Sequence, residues 1–64
     1  MNKQLYDEKM NKYLELLKDY KTNEEKIEFL EDIEFNIKMI DRWSEEDKVC
    51  IDVISNLLHQ LKED

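Results

Sequence analysis

The side chains best suited to chemistry in this 64-residue chain are a single cysteine, a single histidine and a cluster of carboxylates. Cys50 falls in the middle of an apolar helical stripe, where a thiol behaves as a small hydrophobic group and is a poor nucleophile. His59 projects from the opposite side of the same predicted helix, which is typical of a solvated surface residue. Neither side chain predicts nucleophilic or acid–base catalysis.

A group of carboxylates in the middle of the chain could collect a hard cation. These are Glu24, Glu28, Glu31 and Asp32. A defined site requires oxygen ligands that converge from a loop or from several elements, and the chain has no Asp-rich loop with glycine. One Cys and one His do not form a zinc-ligand pattern either. We therefore predict no metal site and no cofactor, and a chain too short to enclose a walled cleft is not expected to be an enzyme.

The charge balance restricts the partners. Ten Lys and Arg residues face seventeen Asp and Glu residues, which gives a net charge of −7. This balance argues against nucleic acid, because binding to phosphates is driven by Lys and Arg. No apolar run approaches the length of a membrane-spanning helix or a signal-peptide core. We therefore predict a cytoplasmic protein that binds neither nucleic acid nor membrane.

The local signals predict helices. The chain has no Gly and no Pro, which disfavours strands joined by tight turns. Thr22 with Glu25, and Ser44 with Asp47, fit the capping-box pattern that starts a helix, the second more weakly because Asp is shorter than Glu. We predict an all-α fold with one domain (1–64), a small antiparallel bundle of three short helices at about 2–20, 23–43 and 45–62.

Each predicted helix carries an apolar stripe at helical spacing. The stripes are Tyr6, Met10, Tyr13, Leu17 and Tyr20, widened by Leu14 and Leu16, in the first helix; Phe29, Leu30, Ile33, Ile37, Ile40 and Trp43 in the second; and Cys50, Ile54, Leu57 and Leu61, flanked by Val49, Ile51, Val53 and Leu58, in the third. The apolar arcs of the first and third helices are wider than a two-helix seam requires. Either three helices close on one core, or the chain also buries surface against a second copy.

The acidity is concentrated in residues 23–47, which carry ten acidic and three basic side chains. Five of the ten acidic residues fall in first turns of the predicted helices, where carboxylates offset the helix dipole. On a helical wheel Phe35 and Met39 point away from the core stripe. They lie among Glu28, Glu31, Asp32 and Arg42. Large apolar groups on an acidic face indicate a contact surface, with a neighbouring helix, with a second copy or with a foreign partner that is basic around an apolar pocket.

Trp43 adjoins the Ser44 cap at the predicted bend between the second and third helices. One interpretation is a large anchor that closes the end of the core. The other is a partly exposed interface anchor beside Arg42, because Trp and Arg are favoured at binding hot spots.

Two stretches carry a resemblance to a known group of proteins. Residues 25–32 (EKIEFLED) and 39–47 (MIDRWSEED) resemble the small, acidic, helical proteins of unknown function from phages and prophages of low-GC Gram-positive bacteria. That group has no established catalytic residues to carry over. The resemblance implies a cytoplasmic context in a bacterial host and a product that binds and modulates a host protein.

The leading hypothesis is therefore a non-enzymatic protein–protein interaction module that is expected to form a homodimer. Its predicted partner-binding residues are Phe35, Met39, Glu28, Glu31, Asp32, Arg42 and Trp43. Two alternatives remain open. In one, the chain is a structural subunit of a homo-oligomeric assembly, and in the other its acidic face mimics nucleic acid.

Overall fold

Three α-helices form the fold. The computed structural model describes residues 2–63, with α1 at Lys3–Leu17, α2 at Asn23–Lys38 and α3 at Glu45–Glu63. No strand occurs within that range, and the molecule measures 32 × 25 × 20 Å. The predicted all-α class and the number of helices are confirmed.

The first two helices end earlier than predicted. The prediction carried them to residues 20 and 43, whereas α1 stops at Leu17 and α2 stops at Lys38. After α1, the Tyr20 N–H donates to the Leu17 carbonyl at 3.1 Å, and after α2 the Ile40 N–H donates to the Ile37 carbonyl at 3.0 Å. These bonds between residues three apart tighten the last turn and close each helix without glycine.

Side-chain caps fix where the helices begin. The Thr22 hydroxyl accepts from the Glu25 N–H at 3.2 Å. At α3 the box is reciprocal, because the Ser44 hydroxyl accepts from the Asp47 N–H at 3.2 Å and the Asp47 carboxylate accepts from the Ser44 N–H at 2.9 Å. The prediction that the second box is weaker because Asp is short is wrong, since Asp47 reaches the Ser44 N–H directly. Asn2 caps α1 in the same manner, through the Leu5 N–H.

The core is organised around α3, which both other helices contact, whereas α1 and α2 make few contacts with each other. Within residues 2–63 the buried apolar side chains are Tyr13, Leu17, Leu30, Val49, Val53, Ile54, Leu57 and Leu58. Five of these eight belong to α3. The centre of its apolar face is displaced from the predicted one, because Val49 and Val53 are fully buried while Cys50 and Leu61 are only half-buried. Because α3 is covered on two sides, it buries a wider arc than a helix packed on one neighbour.

Four residues of the predicted apolar stripes are exposed rather than buried. They are Leu14, Leu16, Ile40 and Trp43. Ile40 and Trp43 lie beyond the end of α2, so the helical wheel that placed them on the core face does not apply to them. Leu14 and Leu16 flank the buried Tyr13 and Leu17 on opposite sides, so each lies at an edge of the contact between α1 and α3 and stays exposed.

Polar contacts reinforce the packing of both outer helices on α3. They are a hydrogen bond from Asn56 Nδ2 to the Tyr6 hydroxyl, an ion pair between Lys9 and Glu46 at 3.7 Å, and an ion pair between Lys62 and Glu31 at 3.5 Å. The rings of Tyr20 and Phe29, 5.1 Å apart, join the first connection to α2. Among the described residues, no buried side-chain N or O atom lacks a hydrogen-bond partner. The core is therefore free of the desolvation cost that an orphaned polar group would add.

The burial of Leu30 is expected to decide whether α2 stays attached. This side chain is fully buried, and a Leu→Ala change at such a site costs about 2–5 kcal/mol. A core of this size yields only about 3–5 kcal/mol in total. Leu30→Ala should therefore abolish or nearly abolish the cooperative urea transition followed by far-UV circular dichroism. Phe35→Ala on the exposed side of α2 is the control and should stay within about 0.5 kcal/mol of the parent; equal transitions for the two variants would contradict the fold.

Tyr13 gives the fold an alkaline limit. Burial raises the pKa of the Tyr13 hydroxyl well above its usual range, and the adjacent Cys50 thiol raises it further. Because the pKa of Tyr13 is higher in the folded than in the unfolded chain, the folded chain holds the Tyr13 proton more tightly. The free energy of unfolding is therefore at its full value below the ordinary tyrosine pKa of about 10 and falls as the pH rises above it. Denaturation should show the unfolding free energy falling more steeply from about pH 9 to about pH 11 for the parent than for Tyr13→Phe. Identical slopes would contradict this prediction.

Candidate protein-binding site

The residues considered first for chemistry do not converge on a reactive centre. Within residues 2–63, no group of three or more His, Cys, Asp or Glu side chains is arranged to hold a metal ion. Cys50 is half-buried on the α1-facing side of α3. The exposed His59 pairs with Glu63, four residues on, with 2.9 Å between Nε2 and Oε1. The sequence contains this spacing of four, but a solvated pair of this kind contributes little to stability.

The distinctive surface of the molecule is the outer side of α2. Leu30 attaches the opposite side of this helix to α3, and Phe35 and Met39 remain 64% and 69% exposed. Positions 24, 28, 31, 32, 35 and 39 fall within one narrow arc of the helix, because they are separated by three or four residues. The prediction that Phe35 and Met39 point away from the core is confirmed. The alternative in which they meet a neighbouring helix of the same chain is wrong, since α2 has a helix on one side only.

An open groove runs along this surface. We call it the α2 acidic groove, and its lining is Glu28, Glu31, Asp32, Glu34, Phe35 and Lys38. Four of the seven predicted partner-binding residues are therefore brought together around the Phe35 ring. Met39 lies one turn further along, at the C-cap of α2. Arg42 and Trp43 do not line the groove, because the helix ends before they are reached.

Ion pairs divide the carboxylates of the groove into two kinds. Glu31 pairs with Lys62 of α3 at 3.5 Å, and Glu34 pairs with Lys38 at 3.5 Å, as the spacing of four predicts. Glu28 and Asp32 form no ion pair within the described part of the chain. These two carboxylates are four residues apart, and Glu24 continues the same row one turn earlier. The like charges of this row repel one another and lower the stability of α2, so helix stability does not explain why the row is present.

Trp43 has a structural role that neither interpretation of the sequence included. Its indole N–H donates to the Ile37 carbonyl at 2.9 Å. The same carbonyl accepts from the Ile40 N–H, so the indole adds a second hydrogen bond at the closed end of α2. The ring is 37% exposed and does not belong to the buried cluster, so the interpretation that it closes the end of the core is wrong. The neighbouring Arg42 is exposed in the same connection.

Comparison with known proteins found no relative of this chain. No family model matches the chain, and neither a curated protein nor a solved structure is significantly similar to it. None of the helices in residues 2–63 combines the length and the apolar composition needed to cross a membrane.

Removing one charge from the row should stabilise the protein. Glu28 is four residues from both Glu24 and Asp32, and each like-charge pair costs about 0.2–0.5 kcal/mol. Glu28→Gln should raise the free energy of unfolding by about 0.4–1 kcal/mol at low ionic strength and by less at high salt. Urea denaturation at two salt concentrations measures the effect.

Glu34→Gln is the matched control, because it removes a carboxylate of the same groove that has a cation beside it. This change should leave the stability unchanged or lower it slightly. If Glu28→Gln lowers the stability as Glu34→Gln does, Glu28 has a stabilising contact and the row is not repulsive.

Proposed function

We propose that this chain is a non-enzymatic protein-binding module that presents the outer side of α2 to a partner with a basic and apolar surface. The observation that carries the proposal is the exposure of Phe35 and Met39 beside the unpaired carboxylates of Glu28 and Asp32. Phe35 and Met39 are the apolar anchors in this proposal. The carboxylates surround them and select a partner with Lys or Arg around its pocket.

The setting of the anchors supports this function. Phe35 lies in α2 and Met39 at its C-cap, and this helix is fixed by the burial of Leu30 and by the hydrogen bonds of Thr22 and Trp43 at its ends. A partner therefore meets an anchor pair that is already in place, and binding does not have to order the backbone first. Aromatic side chains on such a support are typical centres of binding energy. Desolvation of the two anchors would supply most of the affinity.

The charges would contribute chiefly to the rate and the selectivity of association. A row of unpaired carboxylates attracts a basic surface over several ångströms and repels an acidic one. Glu31 and Glu34 already have cations beside them, so Glu28 and Asp32 dominate this field. We place Arg42 and Trp43 at the edge of the interface, where the exposed part of the indole extends the apolar surface beyond Met39.

The identity of the partner is proposed from the sequence resemblance. The stretches 25–32 and 39–47, which resemble small acidic phage and prophage proteins, include Phe29 and Leu30 of the core as well as Met39, Arg42 and Trp43 of the surface. A host protein that this module modulates or inhibits in the bacterial cytoplasm is the corresponding proposal.

One observation favours a second candidate function. Glu24, Glu28 and Asp32 follow one another at one-turn intervals and form no ion pair within residues 2–63, and such a row could imitate the phosphates of a nucleic acid in a basic groove. A mimic relies on charge, whereas the module proposed above relies on the apolar anchors. The two therefore differ in how binding responds to salt.

The test is the loss of a purified partner's affinity when an anchor is made polar. A candidate partner is captured from a Gram-positive bacterial lysate, identified, purified and titrated directly against the parent and Phe35→Asp. We expect Phe35→Asp to weaken binding at least tenfold, about 1.4 kcal/mol or more, while the free energy of unfolding falls by no more than about 1 kcal/mol, because the new carboxylate stands four residues from Glu31 and three from Asp32.

Leu16→Asp is the matched control, because it places the same charge on another exposed apolar position, outside the α2 acidic groove. It should bind like the parent. Equal loss of binding in both variants, or none in Phe35→Asp, contradicts the proposal. Binding by the parent that collapses as salt is raised, with Phe35→Asp and the parent equally affected, favours the nucleic-acid mimic instead.

A further inference from the structure

A second apolar surface lies on the other side of the molecule and has no role in the proposed function. It is a groove between the C-terminal half of α1, the start of α2 and the C-terminal half of α3. We call it the leucine groove, and its lining is Leu14, Leu17, Leu57, Leu61, Gln60, Lys18 and Lys26. Leu17 and Leu57 form a buried floor, and Leu14 stands 45% exposed at the edge. The groove is therefore apolar at its base and basic at its rim.

The two lysines of the rim are available to a negatively charged partner. Lys26 forms no ion pair within the described part of the chain. Lys18 pairs with Glu15 at 2.9 Å, but both side chains are more than 70% exposed. An exposed pair between residues three apart contributes little, so Lys18 can exchange Glu15 for another carboxylate at small cost.

The two surfaces of this chain complement each other. The outer side of α2 offers two apolar anchors beside unpaired carboxylates, and the leucine groove offers an apolar floor beside lysines. We propose that the leucine groove binds the outer side of α2 of a second copy of this chain. Phe35 and Met39 of one copy would contact the leucines, while Glu28 and Asp32 would face Lys18 and Lys26. This pairing removes both exposed apolar surfaces from water at once.

The arrangement is head-to-tail. Lys26 belongs to the side of α2 that faces α3, whereas Phe35 belongs to the solvent side, so one copy can use both surfaces at the same time. Contacts of this heterologous kind build rings or open chains rather than a closed two-fold dimer. The inference rests on the same anchors as the proposed function, and it implies that self-association hides them from the foreign partner as the protein concentration rises.

Sedimentation velocity across micromolar to near-millimolar concentrations tests the contact, with one variant for each surface. Phe35→Asp destroys the anchor and keeps the groove, and Leu14→Asp destroys the groove and keeps the anchor. Leu16→Asp is the control, because it makes the same change two residues away without touching the groove. The parent and Leu16→Asp should grow beyond a dimer with concentration. Each of the other two variants alone should stay at the chain mass of 7.9 kDa.

The decisive sample is the equimolar mixture of Phe35→Asp and Leu14→Asp. It retains one intact anchor and one intact groove, on different chains, so it should form a species of twice the chain mass and nothing larger. Monomers in the mixture overturn the inference, as does a monomeric parent. A Leu14→Asp variant that still associates by itself also overturns the inference, because association would then not need the leucine groove. If Leu14→Asp lowers the helical dichroism, Lys26→Glu replaces it in the same mixture.

The outcome is separable from that of the proposed function. Leu14→Asp should bind the purified foreign partner at least as tightly as the parent does, because its anchors are intact and no longer hidden. If the parent is monomeric and Phe35→Asp still weakens binding of the foreign partner, only the self-association proposal is contradicted. If the parent self-associates and Phe35→Asp binds the foreign partner as tightly as the parent does, only the proposed function is contradicted.

Discussion

The fold depends on the burial of one face of α3 between the other two helices. Val49, Val53 and Ile54 are almost completely removed from water, and α1 and α2 are held against them rather than against each other. A chain with a single cysteine and no proline has few other means of limiting its conformations. Most of its stability must therefore come from apolar area buried along this helix. The interhelical ion pairs and the Asn56–Tyr6 hydrogen bond lie around that face and add to it.

The same arrangement explains why α2 carries the candidate site. A helix packed on one neighbour has a single buried side, and here that side is occupied by Leu30 with Ile33 and Ile37 around it. Apart from the ion pair of Glu31 with Lys62, most of the remaining circumference makes no packing contact within the chain. Core packing therefore does not restrict the residue types at Glu28, Asp32 and Phe35, and the two carboxylates can stand side by side although they repel one another. The cost of that repulsion is small beside the burial of α3, which is why the chain can sustain it.

The sequence predicted the elements better than their ends. Stripes of apolar residues and the two capping boxes were sufficient for three helices and for the outward direction of Phe35, because both signals are local. The ends of α1 and α2 depend on bonds that the chain makes after the helix, including the Trp43 indole on the Ile37 carbonyl. Periodicity carries no information about such bonds, so Arg42 and Trp43 were assigned to a helical face that does not extend to them. Which helix takes the central position was equally hidden, because it depends on how three stripes of similar strength pack together.

The indole bond also makes the single tryptophan a reporter of one particular place. Trp43 stands in the connection between α2 and α3, and its ring nitrogen is tied to the turn that precedes Met39. Fraying of the last turn of α2 would release this bond. With one indole in the whole chain, the intrinsic fluorescence of the unlabelled protein therefore reads out the order of the helix end beside the anchors, independently of the helical content of the rest.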